Sequence, residues 1–287
     1  MQPPPPRKLL LARWFARTGT SSVLLRAQRA LRSPYVRVVN YHDVPGRLAD
    51  AFEQQLELFA RHFQPMGFDE LQAFVAGRFT PSRPGLVLSF DDGLKSHAEV
   101  VAPRLERFGF PGWFAVPAGF PDMEVDDDDV FRRDHHVDYD AGEFADGPLL
   151  SWDDVRKLDA GHVVCCHSFG HRRLSKDLSE SERAHEVGEA KARLEAKLGH
   201  PVRAFVWVGG EEWSYSASAA RAIREAGFEL AFMTNHGVVR PGDDPMQLQR
   251  TNIEAESPMD LVRLCLSGFF DAMYRAKRRR VRELTAA

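Results

Sequence analysis

Residues 85–90 read GLVLSF, a near-continuous apolar run of the kind a strand carries when it is buried on both faces. Similar β-branched or apolar runs recur at VRVVNYH (36–42), PGWFAVPA (111–118), HVVCCHS (162–168), RAFVWV (203–208), ELAFMT (229–234) and QLQRTNIE (247–254). Between them the apolar positions return at helical spacing. FEQQLELFARHF from residue 52, DELQAFVAG ending at Gly77, residues 95–108, a charge-laced 178–198, residues 215–226 and an amphipathic stretch from 258 all read as helices. Ser151, with Asp154 three residues on, marks an N-cap ahead of WDDVRKLDAG. Strands alternating with helices predict βαβ units and a mostly parallel sheet. No internal repeat or convincing linker divides the chain. The pattern predicts one (β/α) barrel or distorted barrel over 35–287, with a C-terminal helix, preceded by a basic helical segment over 1–34. Residues 121–147 follow neither period and are strongly acidic, which predicts a long loop acting as a mobile lid, with no metal role for His135 and His136.

Composition changes this picture little; charge changes it more. A chain of 287 residues, 44% hydrophobic and 28% charged, can bury a substantial core as an ordinary soluble globule. Its net charge of −3 hides an asymmetry, since residues 1–42 hold eight Arg and Lys and no acid. Residues 271–287 hold six more against Asp271 and Glu283, so the intervening body is acidic. Basic ends near an anionic surface and an acidic body carrying the chemistry are expected. Leu9–Leu11, Trp14, Phe15, Leu24 and Leu25, with interleaved arginines, suit a helix lying on an anionic bilayer, although a helix docked on the protein's own body is the plainer and favoured reading. Nucleic acid is not expected, because no aromatic platform accompanies the basic ends. Arg13 and Arg17 interrupt any signal-peptide core, and no stretch approaches transmembrane length. The three cysteines, Cys165, Cys166 and Cys265, imply no disulfide framework. These features favour the cytoplasm, with the inner face of the membrane as a peripheral site.

The chemistry gathers at strand ends. LSFDDG (88–93) closes an apolar strand with Asp91 and Asp92, two adjacent carboxylates that repel unless a cation or proton intervenes. In parallel α/β folds, function sits where strand C-termini meet their loops. His42, His167 and the VWVGG segment lie at such ends too. His167-Ser-Phe-Gly-His171 places two imidazoles at i and i+4, which one helical turn would bring to the same side as a metal pincer; alone the spacing is a weak signal. Two imidazoles and one carboxylate, with room for water, form the pattern of catalytic Zn²⁺ or another first-row metal. One aspartate would ligate it while the other takes a proton from the attacking water.

In combination these motifs are specific. LSFDDG followed by HSFGH resembles the TFDDG and H-[ST]-x-x-H motifs of the polysaccharide deacetylase family of carbohydrate esterases. VNYHDV, SWDDVRKLDAGH, REAGFELAFMTNHG and QLQRTNI extend the likeness over roughly residues 36–255. The YH opening is most similar to the branch containing poly-N-acetylglucosamine deacetylases. The resemblance implies a distorted (β/α) barrel and metal-dependent hydrolysis of a sugar acetamido group. It implies that Asp91 is the general base and that Asp92, His167 and His171 ligate the metal. It gives His42 the role of acid toward the leaving amine; His236 in TNHG, expected near the mouth, is the second candidate from the sequence itself. Zinc is the default; Co²⁺, Ni²⁺ and Fe²⁺ suit the same ligands. The third family motif, R-x-P-Y-G or W-P-Y-G in type, is altered here to FVWVGG (205–210). Trp207 is kept as a candidate substrate contact, Val208 replaces proline and Gly209 replaces tyrosine, so the Gly209 N–H would still serve the oxyanion while the case for a long polymer groove weakens. The family arginine that tunes the base is missing from this segment, and Arg250 is the expected replacement. Glu211, Glu212 and Trp213 would meet sugar hydroxyls and a ring face, or form a solvated acidic turn. The expected substrate is a lipid- or nucleotide-linked acetamido sugar in surface-glycan assembly. The alternatives are a sugar-binding protein that has lost catalysis and a hydrolase of a non-sugar amide.

Overall fold

The structure is a computed structural model describing residues 34–286; the basic segment expected over residues 1–34 falls, except for Pro34, outside the described residues. Nine strands occur among the described residues: β1 (Val36–Tyr41), β2 (Gln64–Pro65), β3 (Gly85–Phe90), β4 (Gly112–Val116), β5 (Val163–Cys166), β6 (Ala204–Val206), β7 (Leu230–Met233), β8 (Val238–Val239) and β9 (Leu248–Asn252). Their order runs β3-β4-β5-β6-β7-β9-β1, and β1 pairs again with β3, closing a seven-stranded parallel barrel. The two-residue β2 lies along the start of β3, and β8 runs antiparallel to the start of β1.

Period-two alternation divides each strand between two cores. Val36 and Val38, Val87, Trp113 and Ala115, Cys165, Val206, Phe232 and Leu248 fill the barrel, which Met66, Leu71 and Phe74 close at one end. Their strand neighbours, including Val39, Leu88, Phe90, Phe114 and Met233, face the surrounding helices. Those helices are α1 (Ala49–His62), α2 (Phe68–Val75), α3 (Ala102–Phe108), α4 (Asp128–His135), α5 (Trp152–Asp159), α6 (Glu180–Arg183), α7 (Ala190–Leu198), α8 (Ala217–Glu225), α9 (Met259–Leu266) and α10 (Arg275–Thr285). The predicted cap of α5 is a full capping box between Ser151 and Asp154. Among the described residues no helix is long and apolar enough to cross a membrane.

Three expectations change. The helices read over 95–108 and 178–198 each contain a π-helical turn, His97–Val101 before α3 and Ala184–Glu189 between α6 and α7. The acidic stretch 121–147 is no structureless loop. It folds α4 with Asp127 as N-cap and seats Phe131, Val137 and Tyr139 on Leu94, Phe120 and Leu149 as a small core of its own. Lys95 fastens the far end of this stretch, reaching Asp146 and Asp154 at 2.8 Å each.

Candidate active site

Continuing the inward alternation past each strand's C-terminus generates the site. Asn40 and His42 follow Val36 and Val38, Asp91 follows Val87 and Ser89, and His167 follows Cys165. Val208 follows Val206, Thr234 follows Phe232, and Arg250 and Asn252 follow Leu248. All of these side chains line one cavity of about 180 Å³, together with Asp92, His136, His171, Arg173, Gly209 and Gly210.

Asp92 reaches the cavity by breaking the alternation. In a continuing strand it would face away from Asp91, but its φ of 80° is left-handed and turns it back. Its Oδ1 then lies 3.0 Å from His171 Nε2 and 3.5 Å from His167 Nε2. The second imidazole arrives by a route that spacing did not predict. HSFGH is an irregular turn, with Ser168 and His171 at φ of 63° and 59°, and no helix forms there. Glu186, buried in the π-turn Ala184–Glu189, holds that turn by accepting the Phe169 and Gly170 N–H groups at 3.0 and 2.9 Å.

Each imidazole is oriented through its other nitrogen. His167 Nδ1–H donates to the Val206 carbonyl at 2.8 Å, and His171 Nδ1–H to the His135 carbonyl at 2.6 Å. A carbonyl only accepts, so in neutral imidazoles both Nε2 atoms present lone pairs. Asp92 faces them with a third, and the three ligand atoms lie within 4.8 Å of one another. Three converging lone pairs in a buried space require a cation or a proton, and the nitrogen and oxygen donors suit a first-row divalent ion. Burial lowers the His171 pKa, but Asp92 outweighs it and the net shift is upward. Burial raises the Asp92 carboxyl, yet His171 and His167 bring it well below the ordinary carboxylate range.

Asp91 has different company. Arg250 Nη1 donates to its Oδ1 at 2.6 Å, and the same guanidinium is braced by Ser89 Oγ at 3.0 Å and Thr234 Oγ1 at 2.9 Å. Burial alone would raise the Asp91 carboxyl; Arg250, followed by His167, more than reverses this and keeps it ionised. Across the cavity His42 Nδ1 lies 2.9 Å from Glu254 Oε1, whose carboxylate also accepts from Asn252 Nδ2 at 2.8 Å. Burial works to lower the His42 pKa, but Glu254 overrides it and His42 is raised to about 10.

The remaining candidates separate. Gly209 lines the cavity at φ 78°, a left-handed conformation in which a tyrosine would be strained and its Cβ would press on Glu211 and Arg173. Trp207, expected at the substrate, instead points outward: it is buried against Tyr215 and Phe205, with ring centroids 5.2 and 6.1 Å away. The reason is parity, because Val206 and Val208 take the inward positions on either side. His236, the second acid candidate, does not line the cavity and packs on Tyr274 at 4.4 Å. His136 forms part of the wall and the His135 carbonyl orients His171, so the acidic stretch builds the site rather than merely covering it. Cys165 and Cys166 are buried in β5, and burial pushes both thiols up. Sequence reasoning missed Glu254, Glu186 and the His135 carbonyl. Glu254 alone had a signal, as the next inward step after Leu248, Arg250 and Asn252.

Solved structures share this architecture. The chain is similar to the deacetylase PplD of Streptococcus pyogenes, solved in complex with acetate, at TM-score 0.65 and 17% identity over 81% of this chain and 99% of that one. It is similar to IcaB from Ammonifex degensii at TM-score 0.61 and 20% identity, over 83% and 98% of the two chains. For a de-N-acetylase from Aggregatibacter actinomycetemcomitans the values are 0.61 and 17%, over 80% and 99%. Identities this low speak for the fold. No curated protein matches the chain. The family model for polysaccharide deacetylase matches residues 79–231, more than half of the sequence, and spans β3 with its aspartate pair and β5 with the HSFGH turn. The chain belongs to the polysaccharide deacetylase family and is a hydrolase of the amide bond in N-acetylated carbohydrates.

Proposed function

We propose that the protein removes the acetyl group from an acetamido sugar carried on a nucleotide or a lipid, as a precursor in surface-glycan assembly, with Asp91 as base and His42 as acid. The observation that carries the chemistry is the pairing of an Arg250-bound carboxylate, at 2.6 Å, with a separate Asp92–His167–His171 cluster in one cavity. In this reading Asp92, His167 and His171 hold a divalent cation, zinc by default. Such an ion supplies a Lewis acid that polarises the amide carbonyl and makes water easier to deprotonate. Asp91, ionised by Arg250, takes the water's proton as the water attacks the carbonyl carbon. The Gly209 N–H is assigned to the developing oxyanion, a contact that needs no side chain. His42, kept protonated by Glu254, gives a proton to the sugar nitrogen as the C–N bond breaks, so that acetate and the free amine leave. The assignment of the acid to His42 rather than His236 is supported by its place in the cavity. The carrier-linked substrate is favoured by the volume of about 180 Å³, which suits one sugar residue, and by the loss of the motif tyrosine and proline.

The test is acetate release from three substrate classes: nucleotide-linked and lipid-diphosphate-linked acetamido sugars, and an acetylated polymer. Zinc-loaded wild type should release acetate from a carrier-linked sugar. Asp91→Asn should retain zinc and lose about 10²–10⁴-fold in kcat. Release from polymer alone would reject the carrier-linked substrate, and an Asp91→Asn variant at near wild-type rate would remove Asp91 as base.

A further inference from the structure

The C-terminal helix α10 is partitioned in an unusual sense. Val281 and Thr285 are buried, and Tyr274, Lys277 and Arg278 are half-buried on the same side. The opposite side exposes Arg275, Arg279, Arg280 and Arg282 against a single acid, Glu283. Two large apolar side chains are exposed at the two ends of this segment, Met273 at 65% just ahead of the helix and Leu284 at 42% one turn after Arg280. The surface continues onto the catalytic rim. Lys277 Nζ donates to the carbonyl of Gly210, a residue of the cavity wall, and Arg280 Nε donates to Glu212 at 2.9 Å. Next to Glu212 is Trp213, 60% exposed and covered on one ring face by Arg173, itself a cavity residue.

We propose that the outer face of α10, with Met273, Leu284 and Trp213 as apolar anchors, docks on an anionic lipid bilayer and so sets the catalytic rim beside it. Charge complementarity fits: guanidinium groups concentrated on one face attract acidic headgroups. A tryptophan and two aliphatic side chains exposed around them are residues that enter the interfacial layer and are otherwise left wet. Nucleic acid would use the arginines but gives Met273 and Leu284 nothing to enter. Glu212 pairs with Arg280, but Arg282–Asp243 and Arg279–Glu283 are only 3.8 Å surface contacts, a class of weak interaction, and leave Arg275, Arg279 and Arg282 to present the charge. The link from bilayer to substrate rests on the carrier-linked reading above; the docking itself does not.

The experiment is co-sedimentation of the full chain with vesicles of phosphatidylcholine, alone or containing about one-third phosphatidylglycerol, over a salt series that spans the Debye screening range. Binding is expected to the anionic vesicles only and to fade with salt. The Arg275→Gln/Arg279→Gln/Arg282→Gln variant should bind about 100-fold more weakly, from roughly a tenfold or smaller loss per arginine. Should that variant melt earlier than wild type, Arg279→Gln alone, at a side chain 75% exposed, reads the same effect as a loss of about five-fold. Equal binding to both vesicle types, undiminished binding by the variants, or tighter binding to a duplex or single-stranded oligonucleotide than to vesicles would overturn the proposal. Deacetylation of a water-soluble carrier-linked sugar, measured without vesicles, tests the substrate reading separately.

Discussion

The acid role proposed for His42 requires it to keep its proton at working pH, and an ordinary imidazole with a pKa of about 6.5 does so poorly. His42 is set apart by Glu254 at 2.9 Å, which raises it to about 10 against the opposing effect of burial. The sign follows: the folded pKa lies above the unfolded one, so the pair's stabilisation is complete below about pH 6.5 and is lost as pH rises through about 10. Replacing Glu254→Gln leaves burial unopposed by that carboxylate. The alkaline limb of the kcat–pH profile should then move from near 10 toward neutrality, with the acid limb kept. A profile whose alkaline limb stays in place would assign the proton to another group. Legibility at this scale was uneven. Asp91, Asp92, His167 and His171 stood out because charged and imidazole side chains beside an apolar strand need a reason. Glu254 hid among many acids, since nothing local says which carboxylate meets which histidine across a barrel.

At the scale of elements, the imidazole pair shows what spacing can and cannot say. HxxxH suggested a helical turn, yet the segment is an irregular turn with two left-handed residues, and Glu186 holds it from a different element. The π-turn carrying Glu186 offsets the register of the α6–α7 stretch, which a strict 3.6-residue reading does not anticipate. Glu186 touches no ligand atom, so its removal separates support from ligation. Glu186→Ala is expected to weaken zinc binding about 10–100-fold in a competition titration with a chromogenic chelator. Affinity equal to wild type would show that the turn holds itself. The acidic stretch 121–147 makes a related point. Its charges read as a lid, but Phe131, Val137 and Tyr139 bury themselves within it and so place the His135 carbonyl on His171.

For the whole molecule, two long-range ties decide how the ends meet the barrel. Arg37, buried in β1, pairs with Asp271 ahead of α10 at 2.8 Å and bonds the Thr251 hydroxyl at 3.1 Å. Breaking such a pair leaves a buried guanidinium without its carboxylate, so Asp271→Ala should cost about 3–5 kcal/mol in denaturant unfolding. A loss below about 1 kcal/mol would mean that neighbouring groups or water solvate Arg37 well enough alone. The Asp92–His167–His171 cluster is the second tie, since it joins the end of β3 to the turn after β5. Free zinc at about a hundredfold above its Kd should add about 2.7 kcal/mol, a rise of roughly 4–5 °C in Tm that EDTA reverses. An unchanged Tm would argue against binding at Asp92, His167 and His171.

The sequence alone determined the alternation of strands and helices, the strand ends at which carboxylates and imidazoles collect, and the family motifs. Each of these is a local pattern, because hydrophobic period and strand termination are properties of neighbouring residues. Parity and partnership were settled by the folded barrel. Whether Trp207 or Val208 faces the cavity depends on which alternate set the barrel turns inward. That Arg250 meets Asp91, and Glu254 meets His42, depends on β9 closing against β1 beside β3, contacts between residues some 160 to 210 positions apart. Such pairings are chosen by closure of the barrel as a whole, and a one-dimensional pattern has no coordinate for it.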